Sequence, residues 1–156
     1  MGKDYRDFKY RIKLRMSVSF YRFKLISEQV LFIKWYQSPP LQSPILKQYY
    51  RDIEEHLNNA LLPVYIVSDL ERGRIHDVKF LRDLASILLA HPRYGGSTAF
   101  ASDEVSKIFV GVFRQAMQQP RDTEIFNTPQ AAFEYLEKLS PNLLKGIEWE
   151  KEIREE

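Results

Sequence analysis

Four consecutive apolar residues, Val64-Tyr65-Ile66-Val67, stand near the middle of the chain, with Pro63 before them and the polar Ser68 and Asp69 after them. A strand with one wet face alternates apolar and polar residues, whereas an unbroken apolar run of this length suits a strand covered on both sides. Sheets covered on both faces are mostly parallel and are closed by helices. The tetrapeptide therefore predicts the innermost strand of an α/β domain, and 156 residues suffice for one such core without room for a second.

The flanking sequence supplies the other elements. Val18 to Leu25 and Val30 to Tyr36 are rich in β-branched and aromatic residues and flank a polar break at Ser27, Glu28 and Gln29, which reads as a hairpin. Pro39, Pro40 and Pro44 punctuate a loop, with Ser43 placed to cap a helix whose first residue is Pro44. In that helix Ile45, Leu46, Tyr49, Tyr50, Ile53, Leu57 and Ala60 fall on one stripe. After the central run, Val78, Leu81, Leu84, Ala85, Leu88 and Leu89 repeat with helical spacing until His91-Pro92.

Gly95-Gly96 reads as a turn that introduces a small-residue strand, Ser97 to Ala101. Ser102, followed by Asp103 and Glu104, starts a third helix with Val105, Ile108, Phe109, Val112, Phe113 and Ala116 as its inward stripe. Thr123 to Phe126 suits an edge strand, and Thr128-Pro129 repeats the cap-then-proline signal before Ala132, Phe133, Leu136 and Leu139. The order β-β-α-β-α-β-α-β-α predicts an α/β domain with a mostly parallel sheet, right-handed crossovers and an N-terminal antiparallel hairpin.

Composition narrows the function classes. There is no cysteine, so disulfides, thiol chemistry and thiolate metal sites are excluded. No apolar run approaches the roughly 20 residues that span a bilayer, and the first residues lack the apolar core of a signal peptide, so a cytoplasmic protein without a membrane span is expected.

The net charge of +2 is unevenly placed: the first fifteen residues carry six basic against two acidic side chains, and the last twelve carry three against five. The chain thus divides into a basic arm (1–15), a neutral domain (16–144) and an acidic tail (145–156), and a neutral body predicts no specific grip on nucleic acid. In the arm Phe8, Tyr10, Ile12, Leu14, Met16 and Val18 alternate with Lys9, Arg11, Lys13, Arg15 and Ser17. That pattern fits a strand added to this sheet or to a second copy as a homodimer contact, a surface for anionic lipid or nucleic acid, or an extension upstream of a natural start at Met16. In the tail, Trp149 and Ile147 are expected to pack back on the domain from a solvated helix.

Val67-Ser68-Asp69-Leu70 at the end of the central strand, and Asp77 before the next helix, carry a resemblance. Over roughly 17 to 139 the chain is similar to the STAS domain, found in bacterial anti-sigma-factor antagonists and in the cytoplasmic tails of sulfate transporters. That family has an aspartate and a hydrophobic residue after the central strand, then Asp-Ser-Ser-Gly opening the next helix. Here Val78, Lys79 and Phe80 stand in place of Ser-Ser-Gly. The first of those serines is the phosphorylation switch of the antagonists, so the resemblance implies a STAS-like fold without the phospho-switch at its usual place. The chain looks more like divergent STAS-like proteins grouped with SEC14-type lipid-binding domains.

In an open α/β sheet, loops beyond the carboxyl ends of the strands form the usual binding edge. They would be residues 37–43, 68–77, 101–103 and 127–128. The second gathers both signs of charge, and Asp69, Leu70, Glu71, Arg72, Gly73, Arg74, His76 and Asp77 are the candidate contact residues for a protein partner. The plainer alternative is a solvated connection in which Asp77 caps the following helix.

Other chemistry finds few residues. His56 lies in the polar tract of the first helix, His91 precedes a proline and only His76 lies on the edge, so no metal or cofactor is expected. Gly95-Gly96-Ser97-Thr98 lies before its strand with no lysine at the spacing of a phosphate loop. Ser68, His76 and Asp77 can be drawn as a triad, yet one loop bearing serine and histidine is a pattern many surfaces meet by chance. The leading expectation is a non-catalytic STAS-like regulatory or scaffold module. The alternative is a small-molecule or lipid-binding domain, which needs a cavity between helices and sheet; a small hydrolase, third, needs the Ser68 hydroxyl within reach of His76.

Overall fold

The computed structural model describes residues 20–117 and 123–154. The basic arm, and with it the strand expected there, lies outside the described residues. In chain order the elements are β1 (Tyr21–Ser27), β2 (Val30–Trp35), α1 (Pro44–Asn59), β3 (Val64–Asp69), α2 (Val78–Ala90), β4 (Tyr94–Phe100), α3 (Glu104–Met117), β5 (Thr123–Phe126), α4 (Pro129–Leu139) and the short α5 (Trp149–Glu152).

Five strands form one sheet in the order β1-β2-β3-β4-β5, with β1 antiparallel to β2 and every other pair parallel. The expected α/β fold, with its N-terminal hairpin and mostly parallel sheet, is therefore the observed one, and the Val64-Tyr65-Ile66-Val67 run lies in the central strand. Because each parallel strand adds on the same side of the last, crossovers of one hand set α1, α2 and α3 on the same face.

Strand periodicity then sorts the core into two. Val64 and Ile66 join Leu31, Ile33 and Trp35 against Ile53, Leu57, Leu84 and Leu88 of the crossover helices. On the other face Val67 joins Val30, Phe32 and Phe100 against Ala132, Phe133 and Leu136 of α4. β2 and β3 have deep cover on both sides, which is why their sequences run apolar without alternation, and the second half of β4 is covered likewise but by small residues.

Local signals position the helices. Ser43 Oγ accepts the Ile45 N–H at 3.2 Å with Pro44 in the first turn, and Thr128 Oγ1 accepts the Ala131 N–H at 3.3 Å ahead of α4. The tail folds back as its tryptophan suggested: the Trp149 ring stacks on Phe133 with centroids 4.3 Å apart and planes 9° from parallel. Ile153, not Ile147, accompanies it in that cluster.

Two expectations are corrected. Gly95 and Gly96 are not a turn but part of β4, which begins at Tyr94. The pairing with β3 skips a residue there, from Val64↔Tyr94 to Tyr65↔Gly96, and the bulge holds Gly96 at φ 151°. A Cβ on Gly95 would come 2.7 Å from the Tyr65 ring, so the glycine is required by a side chain on the neighbouring strand.

The inward stripe of α3 also differs. Ser106, Val110, Phe113 and Met117 are buried, while Val105 and Ile108 are 44% and 64% exposed. Its cap is Asp103, whose Oδ2 accepts the Ser106 N–H at 2.8 Å, and Ser102 instead turns to another loop.

Phe133 is fully buried between β2, β4 and the tail. Phe133→Ala is expected to cost about 3–5 kcal/mol. Urea unfolding followed by tryptophan fluorescence measures this, and the native emission should shift to the red as Trp149 loses its stacking partner.

Candidate functional site

The loops after β2, β3 and β4 meet at the carboxyl edge of the sheet, as the topology requires. The 70–77 segment is fixed along its length. Leu70 is buried and its N–H reaches the Phe100 carbonyl at 3.0 Å. Asp69 is buried too; its Oδ1 accepts the Glu71 N–H at 3.0 Å, and its Oδ2 lies 3.9 Å from Lys34 Nζ.

Gly73 is pressed against the loop after β2, where an added Cβ would lie 2.6 Å from the Gln37 carbonyl carbon, a separation that backbone cannot yield cheaply. Next to it the Arg74 N–H donates to Ser38 Oγ at 3.0 Å, and Ile75 is buried.

The charges of the segment are largely engaged within the protein. Arg74 Nη1 lies 3.3 Å from Asp103 Oδ2 and 3.4 Å from Ser106 Oγ, tying the loop to the start of α3. Ser102 Oγ donates to Glu71 Oε2 at 2.9 Å. The Arg72 guanidinium lies over the Tyr36 ring, 5.2 Å from its centre.

Asp77 caps α2, as the plainer reading of the loop expected: Oδ1 accepts the Phe80 N–H at 3.0 Å, while Oδ2 accepts the Gln42 N–H at 3.0 Å. All eight candidate residues are thus brought to one edge, but Asp69, Leu70 and Gly73 serve as buried anchors, not as contact surface.

Electrostatics follow from these bonds. The Phe80 and Gln42 N–H groups hold the Asp77 carboxyl below its ordinary value. At Asp103, partial burial pushes upward, but the Ser106 N–H and hydroxyl and the Arg74 charge outweigh it and leave the carboxyl lowered. Away from the edge, burial lowers His56, whose ring is half-buried against Phe23, against the upward pull of Asp52 and Glu55.

The drawn triad is not assembled. The His76 ring meets Phe109 at 6.2 Å, Asp77 is occupied by backbone donors, and Ser68 makes no hydrogen bond to His76 among the described residues. No group of His, Cys, Asp and Glu that could hold a metal occurs among the described residues, nor does a helix long and apolar enough to cross a membrane.

Two features escaped the sequence reading. The first is a cavity of about 80 Å³ between the β3–β4 part of the sheet and the three crossover helices, with Arg74 and Ser106 among its lining. The second is a set of exposed apolar side chains on the two helices that follow the β3 and β4 loops, Val78 at the start of α2 (37% exposed) and Val105 and Ile108 on α3. The small residues of β4 were the sequence signal for the first. Nothing local signalled the second. Comparison with models of known protein families gives no match to this chain, and comparison with curated proteins gives none either.

Two outcomes follow from this edge. Gly73→Ala, which removes no charge, is expected to lower stability by about 1–3 kcal/mol through displacement of the Gln37 backbone, measurable as a fall in urea midpoint. Asp77 and Asp103 ionise more readily folded than unfolded, so their stabilisation is complete above the ordinary carboxyl value of 3.8 and is lost as pH falls through their lower folded values. Thermal melts over that acid range should show a shallower pH dependence in Asp103→Asn.

Proposed function

We propose that the chain is a non-catalytic, STAS-like regulatory or scaffold module that docks a protein partner on the edge made by residues 69–77 and the first turns of α2 and α3. The observation that carries this reading is Ile108, 64% exposed on a helix that buries its other side, with Val105 on the same helix and Val78 at the start of α2 also exposed. Protein contacts favour an apolar centre with a charged rim, and here exposed Glu71 and Arg72 supply the rim.

Rigidity supports the same reading. A loop already pinned by Asp69, Gly73 and Asp77 has little conformational freedom left to lose on docking. Val78 occupies the place of the phosphoacceptor in the STAS resemblance and offers an apolar side chain in its stead, so regulation by phosphate there is not part of the proposal.

A lipid-binding role fits less well, because about 80 Å³ is far below the roughly 300–1,000 Å³ of pockets that enclose drug-sized ligands. Self-association would use another surface: β1 is an edge of the sheet, where the arm of a second copy could add as a strand. A cysteine-free domain of this kind suits the cytoplasm.

The test is co-purification from lysate with Ile108→Glu compared against Leu61→Glu, a control at the opposite end of the sheet where Leu61 is 86% exposed. The expected result is a partner retained by the unaltered chain and by the control and lost with Ile108→Glu. Retention by all three chains overturns the proposed surface.

A further inference from the structure

β4 is built of small residues where it faces the crossover helices. Ser97 pairs with Ile66 and Ala99 with Ser68, so these side chains share one face of the sheet, and the space a larger pair would fill is the cavity of about 80 Å³. Leu84 of α2 and Phe113 of α3 close it from the helix side. Its interior is therefore apolar, of the type that stays dry and accepts carbon.

Of the polar residues that line it, Arg74, Ser106 and Ser68 lie toward the 70–77 loop, while Ser97 stands earlier on β4 with its hydroxyl bonded to Tyr94. Arg74 engages Asp103 and Ser106 through Nη1, and its Nε and Nη2 donors have no hydrogen-bond partner among the described residues. The Ser68 hydroxyl, on the strand that floors the cavity, likewise makes no side-chain hydrogen bond among the described residues. Partly sheltered donors of this kind are normally satisfied by something. An arginine with two adjacent donors unused is shaped to receive two oxygens in a plane.

Size and charge define what fits. An apolar cavity of about 150 Å³ takes a six-carbon ring, so about 80 Å³ encloses roughly three carbons. Asp103 sits on the same guanidinium and offsets much of its charge, so a second negative charge on a ligand would be repelled.

We infer that this cavity binds a short aliphatic monocarboxylate of about three to five carbons, its carboxylate on the unused donors of Arg74 and the Ser68 hydroxyl, its methyl end between Leu84 and Phe113. The site shares Arg74 with the loop of the proposed partner surface but lies on the inner side of that loop, and it stands whether or not a partner docks there.

The experiment is titration of the full chain, labelled with nitrogen-15, by butyrate, with 1-butanol and succinate as matched comparisons. Saturable shifts are expected at the Ser68, Arg74 and Ser106 amides, with both comparisons about tenfold weaker or more. Arg74→Gln should weaken butyrate by about tenfold and leave 1-butanol unchanged, and Ala99→Leu should abolish binding by filling the space. Nuclear Overhauser contacts from the butyrate methyl to the Phe113 ring in the unaltered chain provide the same information if Ala99→Leu fails to fold. The inference is overturned by absence of saturable shifts, by succinate binding as well as butyrate, by a butyrate affinity indifferent to Arg74→Gln, or by absence of the Phe113 contacts.

Discussion

The pairing of β3 between β2 and β4 fixes nearly everything else in this molecule. Its residues alternate between two cores, Val64 and Ile66 toward the crossover helices and Val67 toward α4, so neither helical layer can be placed independently of the strand. Complete burial of a branched aliphatic side chain contributes roughly 1.5–3 kcal/mol, and a charge at one of these positions would remove that term and add the desolvation of an ion. The register also decides the site. With Ile33 beside Ser68 and Ser68 beside Ala99, a serine at the end of an otherwise apolar run is directed into the helix-side core.

Beyond the strand ends, local chemistry gives way to exchanges between loops. Asp77 illustrates the economy involved: one oxygen completes the first turn of α2 and the other secures the Gln42 amide on the approach to α1. At Asp103 a single oxygen, Oδ2, accepts both the Ser106 N–H of α3 and Arg74 Nη1. Each carboxylate begins a helix and joins two loops, so part of the stiffness at the edge arises from helix capping itself, beside the Gly73 and Ser38 contacts.

How much of this was readable from the chain depended on the distance over which each feature is decided. Ser43-Pro44 and Thr128-Pro129 announced their helices because a cap involves residues two or three apart. The hairpin and the central strand were readable because periodicity is local as well. Gly95 was misread because its reason, the Tyr65 ring, lies on another strand. The α3 stripe was misread because Val105, Ile108, Phe109, Val110, Val112 and Phe113 are apolar around too much of the helix to specify a side. Its orientation is set by Ser106, a polar residue that fits the inside only because Asp103 and Arg74 are there to meet it. The candidate loop was located correctly, yet which of its residues anchor and which remain exposed rests on partners some thirty positions away.

The Gly73 contact, the Ser38 and Gln42 bonds and the Arg74–Asp103 pair together tie three connections that are remote in sequence. Connections usually breathe one at a time, each with its own small opening energy. Here the 70–77 connection holds partners in both of the others, so loosening it strips contacts from each, and a disturbance in one outer connection reaches the other through this middle one.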